Sequence, residues 1–274
     1  MRADARARLG LALLLALALL ALGAPLVAGY DPIAQTDVVR TRFAAPLARD
    51  ALGGFHLLGT DRLGRDVWSR LVYGARISLA TGVLATVLSV AIGVAVGLGA
   101  AVLRGPARSA LLALTDFALA LPRVVLLLLL AALWSPSAAL VVIVLGLTGW
   151  RSVARLVFGE AEALLARQFV HSARALGQGR LRIALRHVLP NAWTPVTVAA
   201  ALGIGNAITL EAGLSFLGLG AQPPQPSWGG MIASGRDKLV NAPWVAVAPG
   251  VALVLVVVAS TLVGDALRDR LDRR

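Results

Sequence analysis

The chain is organised around the segment FVHSARALGQGRLRIALRHVLP, residues Phe169–Pro190, which is polar and basic although apolar stretches flank it on both sides. It belongs to a longer polar island, Arg151–Pro190, that contains seven arginines. The flanking stretches are long enough to cross a membrane. A loop this basic and this rich in helix-forming residues is suited to contact a soluble partner. The sequence therefore predicts a membrane protein with one polar contact loop.

Composition indicates the same class. Of 274 residues, 58% are hydrophobic and 15% are charged, which is more apolar than a soluble core of this length requires. The net charge of +12 lies in loops between apolar runs, so it predicts membrane orientation and no nucleic-acid partner. The absence of cysteine excludes thiolate metal sites, and His56, His171 and His187 are scattered. We expect no metal and no cofactor.

Six apolar segments are candidates for membrane-spanning helices, because about 20 apolar residues cross a hydrocarbon core of about 30 Å. They are approximately Leu9–Ala28, Ile77–Leu103, Ala110–Leu133, Ala138–Trp150 with an extension toward Val157, Trp193–Leu219 and Trp244–Ala266. The fourth has a short apolar part, and we expect it to continue as helix into the island. The predicted fold is an all-α integral membrane protein with six transmembrane helices.

The arginines predict the orientation. With the N-terminus in the cytoplasm, 16 of the 26 basic residues face inside, as the positive-inside rule requires of short loops. Both termini are then cytoplasmic. The first apolar segment also resembles a cleaved signal peptide, because arginines precede it and small residues end it, but its length favours a retained helix. Cleavage would leave five spans and an outside N-terminus.

We divide the chain into a first transmembrane helix (1–28), an extracytoplasmic loop with an amphipathic helix (29–76) and a core (77–274). The core contains five spans, the cytoplasmic loop 151–190 and a proline-rich extracytoplasmic loop, 221–243.

Leu63, Val67 and Leu71 recur every four residues and predict the amphipathic helix, lying on the outer membrane face with Trp68 and Tyr73 at headgroup level. Asp61 precedes this predicted helix and Asp66 lies within it, and the two could be a catalytic carboxylate pair. Turn formation and pairing with arginines explain these aspartates at least as well.

Three ionisable residues fall inside predicted spans: Asp116, Arg123 and Glu211. Such residues usually face a cavity or a partner, and both a structural and a pathway role remain open. Asp116 and Arg123 are seven residues apart, which places them on the same side of a continuous helix. In the second span, Gly93 and Gly97 predict close packing within the bundle in preference to dimerisation.

The island divides into three predicted helices: Arg151 to about Leu165, about Gln168–Leu176, and Arg180–Val188. The second ends at Gly177, which can adopt the left-handed backbone of a helix C-cap. Phe169, Ala173 and Leu176 share one of its faces. A short helix of this kind suits docking into a groove of another protein, and a solvated loop is the alternative.

Four sequence blocks resemble a known family. Ala173-x-x-x-Gly177 followed by Leu189-Pro190 is similar to the EAA-type loop of permeases in ATP-binding-cassette importers. The blocks GTDRLGRDVWSRLVYGARISL (Gly59–Leu79), ARALG (Ala173–Gly177), RHVLPN (Arg186–Asn191) and LEAGLSFLGLGAQPPQPSWGGMI (Leu210–Ile232) resemble the second permease subunit of dipeptide/oligopeptide importers. Their order along the chain makes the resemblance specific.

The resemblance implies a type I ABC importer permease fold in a bacterial or archaeal cytoplasmic membrane. It implies four kinds of partner: a second permease, two cytosolic ATPase subunits, an extracytoplasmic solute-binding protein, and a solute. Peptides are the preferred solute over nickel, sugars and other solutes. It makes the short helix a coupling helix that enters a cleft on the ATPase. Its docking residues are Phe169, His171, Ala173, Arg174, Ala175, Leu176, Gly177 and Arg180.

The chain departs from the family pattern at two places. His171 and Ser172 stand where the motif usually has Glu and Ala, and Arg123 follows Pro122 where the family normally has an uncharged residue.

The energy source must lie outside the chain. Its only lysine is Lys238, so no GxxxxGK[ST] phosphate-binding loop exists, and we predict no ATPase activity of its own. The competing hypothesis is a self-sufficient secondary transporter that uses Asp116, Arg123 and Glu211. A membrane-embedded enzyme ranks third, because no nucleophile–base pair is visible.

Overall fold

The chain forms a helical bundle in the computed structural model, which describes residues 2–35 and 37–271, with side chains over 5–35 and 37–269. Its α-helices are α1 (Arg2–Leu22), α2 (Ala24–Val27), α3 (Val38–Thr41), α4 (Val67–Val102), α5 (Gly105–Ala120), α6 (Arg123–Ala132), α7 (Ala138–Leu165), α8 (Gln168–Ala175), α9 (Arg180–Ile183), α10 (Leu189–Phe216), α11 (Trp228–Gly235) and α12 (Trp244–Leu271). A π-helical turn, Ala184–Val188, joins α9 to α10, and a 3₁₀ turn, Arg236–Lys238, follows α11. Strands β1 (Ala48–Arg49) and β2 (Phe55–His56) pair in antiparallel fashion.

Within the described residues, five helices are long and apolar enough to cross a membrane: Ala5–Leu22, Val67–Val102, Ala138–Leu165, Arg180–Phe216 and Trp244–Asp269. The pair α5 and α6 supplies a sixth span if the two are counted together. The predicted all-α membrane fold is therefore confirmed, and the fourth span continues into the island up to Leu165 as expected.

Helix α4 is longer than the predicted second span. The segment predicted as a separate amphipathic helix forms instead the first turns of one uninterrupted helix of 36 residues. At 1.5 Å per residue this helix is about 54 Å long, which exceeds the hydrocarbon core by roughly 24 Å. It begins at Val67, and the carboxylate of the preceding residue, Asp66, caps it by accepting a hydrogen bond from the Ser69 N–H at 2.7 Å. No proline interrupts it before Leu103.

The predicted third span is broken. Helices α5 and α6 meet at 88°, so the expectation of one continuous helix over Ala110–Leu133 is wrong. The cause is Pro122, which lacks an N–H and disfavours helical backbone at the preceding residue. Leu121 accordingly has an extended conformation, with φ −74° and ψ 131°.

Helices α4 and α7 approach closely along the small residues of α4. A Cβ built on Gly93 would lie 2.8 Å from the Trp150 carbonyl oxygen, and one on Gly97 would lie 2.9 Å from the Val157 Cβ. Neither position has room for a side chain. The glycines therefore form a packing face within this bundle, as the sequence analysis favoured.

The connections before α4 and after α10 fold together into a structured cap, which we call the loop cap (residues 29–35, 37–66 and 221–243). Phe43 and Leu58 of the first connection pack against the cluster that contains Met231 and Ala242 of the second. The buried Trp228 of α11 donates from Nε1 to the Leu71 carbonyl at 3.0 Å, and Trp244 donates to the Thr60 carbonyl at 3.1 Å. The predicted ordered elbow is present, although its helix begins at Trp228 rather than near Met231.

The aspartates of the loop cap are structural. Asp61 forms an ion pair with Arg65 at 2.7 Å and accepts from the Leu63 N–H at 2.8 Å, which closes a turn. Asp66 caps α4 and contacts His56 Nδ1 at 2.9 Å. Turn formation and arginine pairing, the interpretation preferred over a catalytic pair, account for Asp61, whereas Asp66 is held by its capping bond and by His56.

Candidate functional site

Helix α8 lies between the end of α7 and the start of α9 and has the cap that its sequence predicts. Gly177 has φ +79°, in the left-handed region where glycine carries no steric penalty. Its N–H donates to the Arg174 carbonyl at 3.0 Å, and the Gln178 N–H donates to the Ala173 carbonyl at 3.1 Å. These two bonds satisfy carbonyls at the end of the helix. The predicted short helix and its glycine cap are confirmed.

The buried face of α8 differs from the predicted docking face. Val170 is fully buried and Ala173 is 6% exposed, and both pack against Val157, Ile183 and neighbouring apolar residues of the chain's own core. At 100° per residue, Ala173 lies between Val170 and Leu176 around the helix axis. It faces the core together with Val170. Ala173, which the sequence analysis placed on one face with Phe169 and Leu176, is therefore buried in the chain's own core, whereas those two side chains are exposed.

The exposed face of α8 contains the remaining predicted docking residues. Leu176 is 81% exposed and Phe169 is 42% exposed, and both lie in the polar island rather than in an apolar span. His171, Arg174 and Ala175 are also exposed, as are Gly177 and Arg180. An apolar pair surrounded by polar groups is the pattern of a docking surface. We call this face, from Phe169 to Leu176, the α8 surface.

The base of α8 is joined to the bundle by polar contacts as well. Gln178 Oε1 lies 2.9 Å from His187 Nε2, and the His187 ring faces the Phe169 ring at 6.5 Å between centroids. Arg108 of α5 binds Glu162 of α7 at 2.9 Å. The segment that follows α8 is thus bound to the π turn that leads into α10.

A basic cleft of about 150 Å³ lies beside α8. Its charged lining residues are Arg104, Arg108, Glu162, Arg174 and Arg180. Arg174 of the α8 surface and Arg180, both predicted docking residues, thus line one basic cleft.

The three ionisable residues of the spans are not brought together. Asp116 pairs with Arg155 of α7 rather than with Arg123, because the 88° bend between α5 and α6 separates the two positions. The prediction that Asp116 and Arg123 lie on one side of a continuous helix is therefore wrong. Glu211 is buried elsewhere and accepts from the Ser215 hydroxyl at 2.7 Å.

Arg151 stabilises the break between α5 and α6. Its guanidinium donates to the Ala118 carbonyl and, at 3.0 Å, to the Leu121 carbonyl, both of which lack helical partners at the end of α5. Broken backbone at membrane depth requires such satisfaction or a water-filled cavity. Sequence reasoning assigned Arg151 only to the basic island, since its carbonyl partners lie 30 or more residues away.

A cavity of about 250 Å³ lies between α4, α6, α7 and α10. Its polar lining consists of Thr86, Ser89, Arg123, Ser152 and Asn206. Of these, the sequence analysis singled out only Arg123, because serine, threonine and asparagine within apolar helices carry no distinctive pattern. We call this space the bundle cavity.

The loop cap contains one more cluster of titratable groups. His56 is buried between two carboxylates, with Nδ1 2.9 Å from Asp66 and Nε2 3.2 Å from Asp50. Burial of Asp50 works to raise the pKa of its carboxyl. Hydrogen bonds from the Gly54 N–H, His56 and the Leu52 N–H outweigh this effect and hold the pKa below its ordinary value.

Membrane-length helices thus surround a polar cavity, and a short exposed helix lies on a basic loop. The family described as binding-protein-dependent transport system inner membrane component matches residues 75–274. The chain belongs to this family.

Named relatives and solved structures agree with this assignment. The chain is 40% identical over 267 residues to a putative peptide transport system permease protein of Brucella suis, covering 97% of this chain and 87% of that protein. It is 40% identical over 264 residues to the di/tripeptide transport system permease protein DppC of Pseudomonas aeruginosa, covering 96% and 86%. The glutathione transport system permease protein GsiD of Pectobacterium atrosepticum is 40% identical over 217 residues, covering 79% and 72%.

The fold is similar to that of the inward-facing MetNI methionine ABC transporter. The TM-score is 0.58 at 22% identity, over 74% of this chain and 95% of that one. The predicted type I importer permease fold is confirmed, and the chain is an inner-membrane permease subunit of an ATP-binding-cassette importer.

Proposed function

We propose that the chain forms one half of the translocation pathway of a peptide importer, together with a second, different permease subunit. A solute-binding protein delivers the peptide outside the membrane, and two ABC ATPases supply the energy. The names of the 40%-identical relatives in Brucella suis and Pseudomonas aeruginosa support peptide as the solute. The absence of a phosphate-binding loop supports ATP hydrolysis by partner subunits alone.

The α8 surface is the proposed contact with the ATPase. The observation that carries this proposal is the pair of exposed apolar side chains, Phe169 and Leu176, on a helix whose opposite side is anchored by Val170. Burial of those two side chains in a cleft supplies binding energy, and the adjoining arginines suit an acidic rim. Because Val170 packs against α7 and the π turn, movement of the ATPase is passed to two membrane-spanning helices.

The proposed orientation places both termini and α8 in the cytoplasm, and the loop cap on the opposite side facing the binding protein. The distribution of arginines supports it. Reporter fusions after Arg108, Arg180 and Arg270 should report the cytoplasm, and fusions at Asp50, Pro136 and Pro226 the opposite side. A cytoplasmic signal at Asp50 would contradict both the orientation and the division of the chain at residues 28 and 76.

Reconstitution tests the function directly. The chain alone in liposomes should neither hydrolyse ATP nor accumulate peptide, whereas the complete transporter should require ATP and the binding protein together. A catalytically inactive ATPase provides the matched control, since it preserves assembly. Peptide uptake by the chain alone under an ion gradient would instead identify a secondary transporter.

The solute is tested separately, on the binding protein of the same transporter. A panel of di- and tripeptides, nickel complexes and sugars should give tight binding for peptides only. Tight binding of nickel or a sugar would replace the peptide assignment while leaving the importer mechanism in place.

A further inference from the structure

The bundle cavity contains an arginine without an acidic partner among the described residues. The Nε of Arg123 is buried and has no hydrogen-bond partner there. Asp116 pairs with Arg155 and Glu162 with Arg108, and Glu211 of α10 accepts a hydrogen bond from Ser215. None of the ion pairs in the described part of the chain includes Arg123. The charge of Arg123 is therefore unbalanced in the subunit as described.

A second cation increases the imbalance. Arg151 lies at the same break and is bound to two carbonyl oxygens, which satisfy its N–H groups and leave its charge unneutralised. Charged side chains at membrane depth are costly unless they face water or an opposite charge. The cavity is thus an electropositive region inside a bundle of apolar helices, and an anion that enters it is stabilised.

The guanidinium of Arg123 lies beside α7 at the cavity wall. One of its terminal nitrogens lies 3.4 Å from the position that a Cβ would occupy on Gly149, which is an ordinary contact distance. Ser152 and Asn206 line the same cavity and are exposed, which makes it accessible from outside the subunit. Both can form hydrogen bonds to a bound ligand.

The dimensions and chemistry of the site indicate the ligand. A guanidinium presents paired N–H donors that match the two oxygens of a carboxylate. The cavity volume of about 250 Å³ is smaller than the 300–1,000 Å³ typical of sites that enclose a whole drug-sized ligand. The site therefore fits one end of a solute.

We propose that Arg123 binds the carboxylate of the solute during passage, which for a peptide is its C-terminal carboxylate. This inference rests on the proposed importer function and adds a selection step inside the permease. Asn206 hydrogen-bonds the same end of the solute. Solutes without a carboxylate gain nothing from this contact.

The test uses the absence of cysteine from the chain. A Ser152→Cys variant places one thiol in the cavity of the assembled transporter, in nanodiscs of phosphatidylcholine. Its labelling rates are measured with an anionic sulfonatoethyl methanethiosulfonate and with a cationic trimethylammonium-ethyl one. The labelled chain is resolved by size from its partners, and the measurement requires no transport.

The charge of Arg123 should control the ratio of the two rates. A cavity of about 250 Å³ is roughly 6 Å across, and a unit charge at that distance in water changes each rate about threefold, in opposite directions. Adding Arg123→Gln should therefore lower the anionic-to-cationic ratio about tenfold, whereas Arg123→Lys should largely preserve it. The matched control is Arg236→Gln, which removes an exposed arginine of the loop cap and should leave the ratio unchanged.

Protection identifies the ligand. Trialanine should slow labelling of Ser152→Cys by the anionic reagent, and trialanine amide should do so several-fold less. This difference should disappear in Arg123→Gln. Nanodiscs containing phosphatidylglycerol provide a further arm: if the anionic lipid itself protects the thiol and trialanine does not, the site binds a lipid headgroup and the solute proposal is wrong.

An unchanged labelling ratio in Arg123→Gln, equal protection by acid and amide, or no protection by either would also overturn the proposal. These failures are distinguishable from failure of the proposed function. ATP-dependent uptake that needs the binding protein can persist without any role for Arg123, whereas a chain that assembles with no ATPase refutes the importer function itself.

Discussion

Replacement of Leu176 by aspartate should uncouple the subunit from its ATPase without unfolding it. Leu176 is 81% exposed, so nearly all of its side chain is available for burial in a partner. Full burial of a leucine is worth about 1.5–3 kcal/mol, and an unpaired carboxylate in the same cleft adds a desolvation cost. A loss of about 2–3 kcal/mol corresponds to roughly 30- to 150-fold weaker docking.

The assay is titration of the purified ATPase against the permease complex, together with ATP-dependent uptake. Leu176→Asp should lower both while the melting temperature of the permease stays near that of the wild type, because the side chain packs against little of its own subunit. Leu239→Asp is the matched control, with the same change at a half-exposed leucine of the loop cap. It should preserve ATPase affinity.

A substitution at Ala173 does not test docking to the ATPase, although its spacing from Phe169 and Leu176 suggested that it would. An aspartate at this buried position must enter the cluster of Val157, Val170 and Ile183, so Ala173→Asp destabilises the permease itself. Loss of ATPase binding in Ala173→Asp therefore does not distinguish an unfolded permease from a lost docking contact. Wild-type ATPase affinity and uptake in Leu176→Asp would refute the coupling role of α8.

Three further predictions concern the glycine C-cap of α8, the packing of α4 against α7, and the pH dependence of stability. Gly177→Val should weaken ATPase docking and cost about 1–2 kcal/mol, since Gly177 has φ +79°, whereas Gly179→Val, at φ −69° in equally open space, should be nearly neutral in the same assays. Gly97→Ala should lower the melting temperature, because the new Cβ would lie 2.9 Å from that of Val157. The control Gly99→Ala should not lower it, since the nearest atom to its Cβ lies at 3.5 Å. Equal melting temperatures of the two variants would contradict the close α4–α7 contact. Asp50→Asn should reduce stability above the ordinary pKa of 3.8. Because the folded-state pKa is lowered, the difference from wild type should vanish as the pH falls through it; a difference that persists in acid would show that Asp50 acts by shape alone.

Local sequence signals predicted most elements of the island. Helix α7 ends at Leu165 and α8 occupies Gln168–Ala175, since the glycine at 177 and the apolar spacing are signals within a few residues. The length of α4 was underestimated because it depends on packing against distant residues. Amphipathic spacing near Val67 indicated a surface helix, whereas packing under the loop cap buries those turns and continues them into the span.

The sequence by itself determined the class of this protein: apolar length, charge placement and the four ordered blocks depend on composition and spacing along the chain. Only the tertiary structure decided which side chains meet. In it, Asp116 pairs with Arg155, Arg123 lines the bundle cavity, and Ala173 is buried beside Val170. Each of these outcomes depends on the bend at Pro122 or on contacts between distant helices, and such contacts leave no periodic signal in a single sequence.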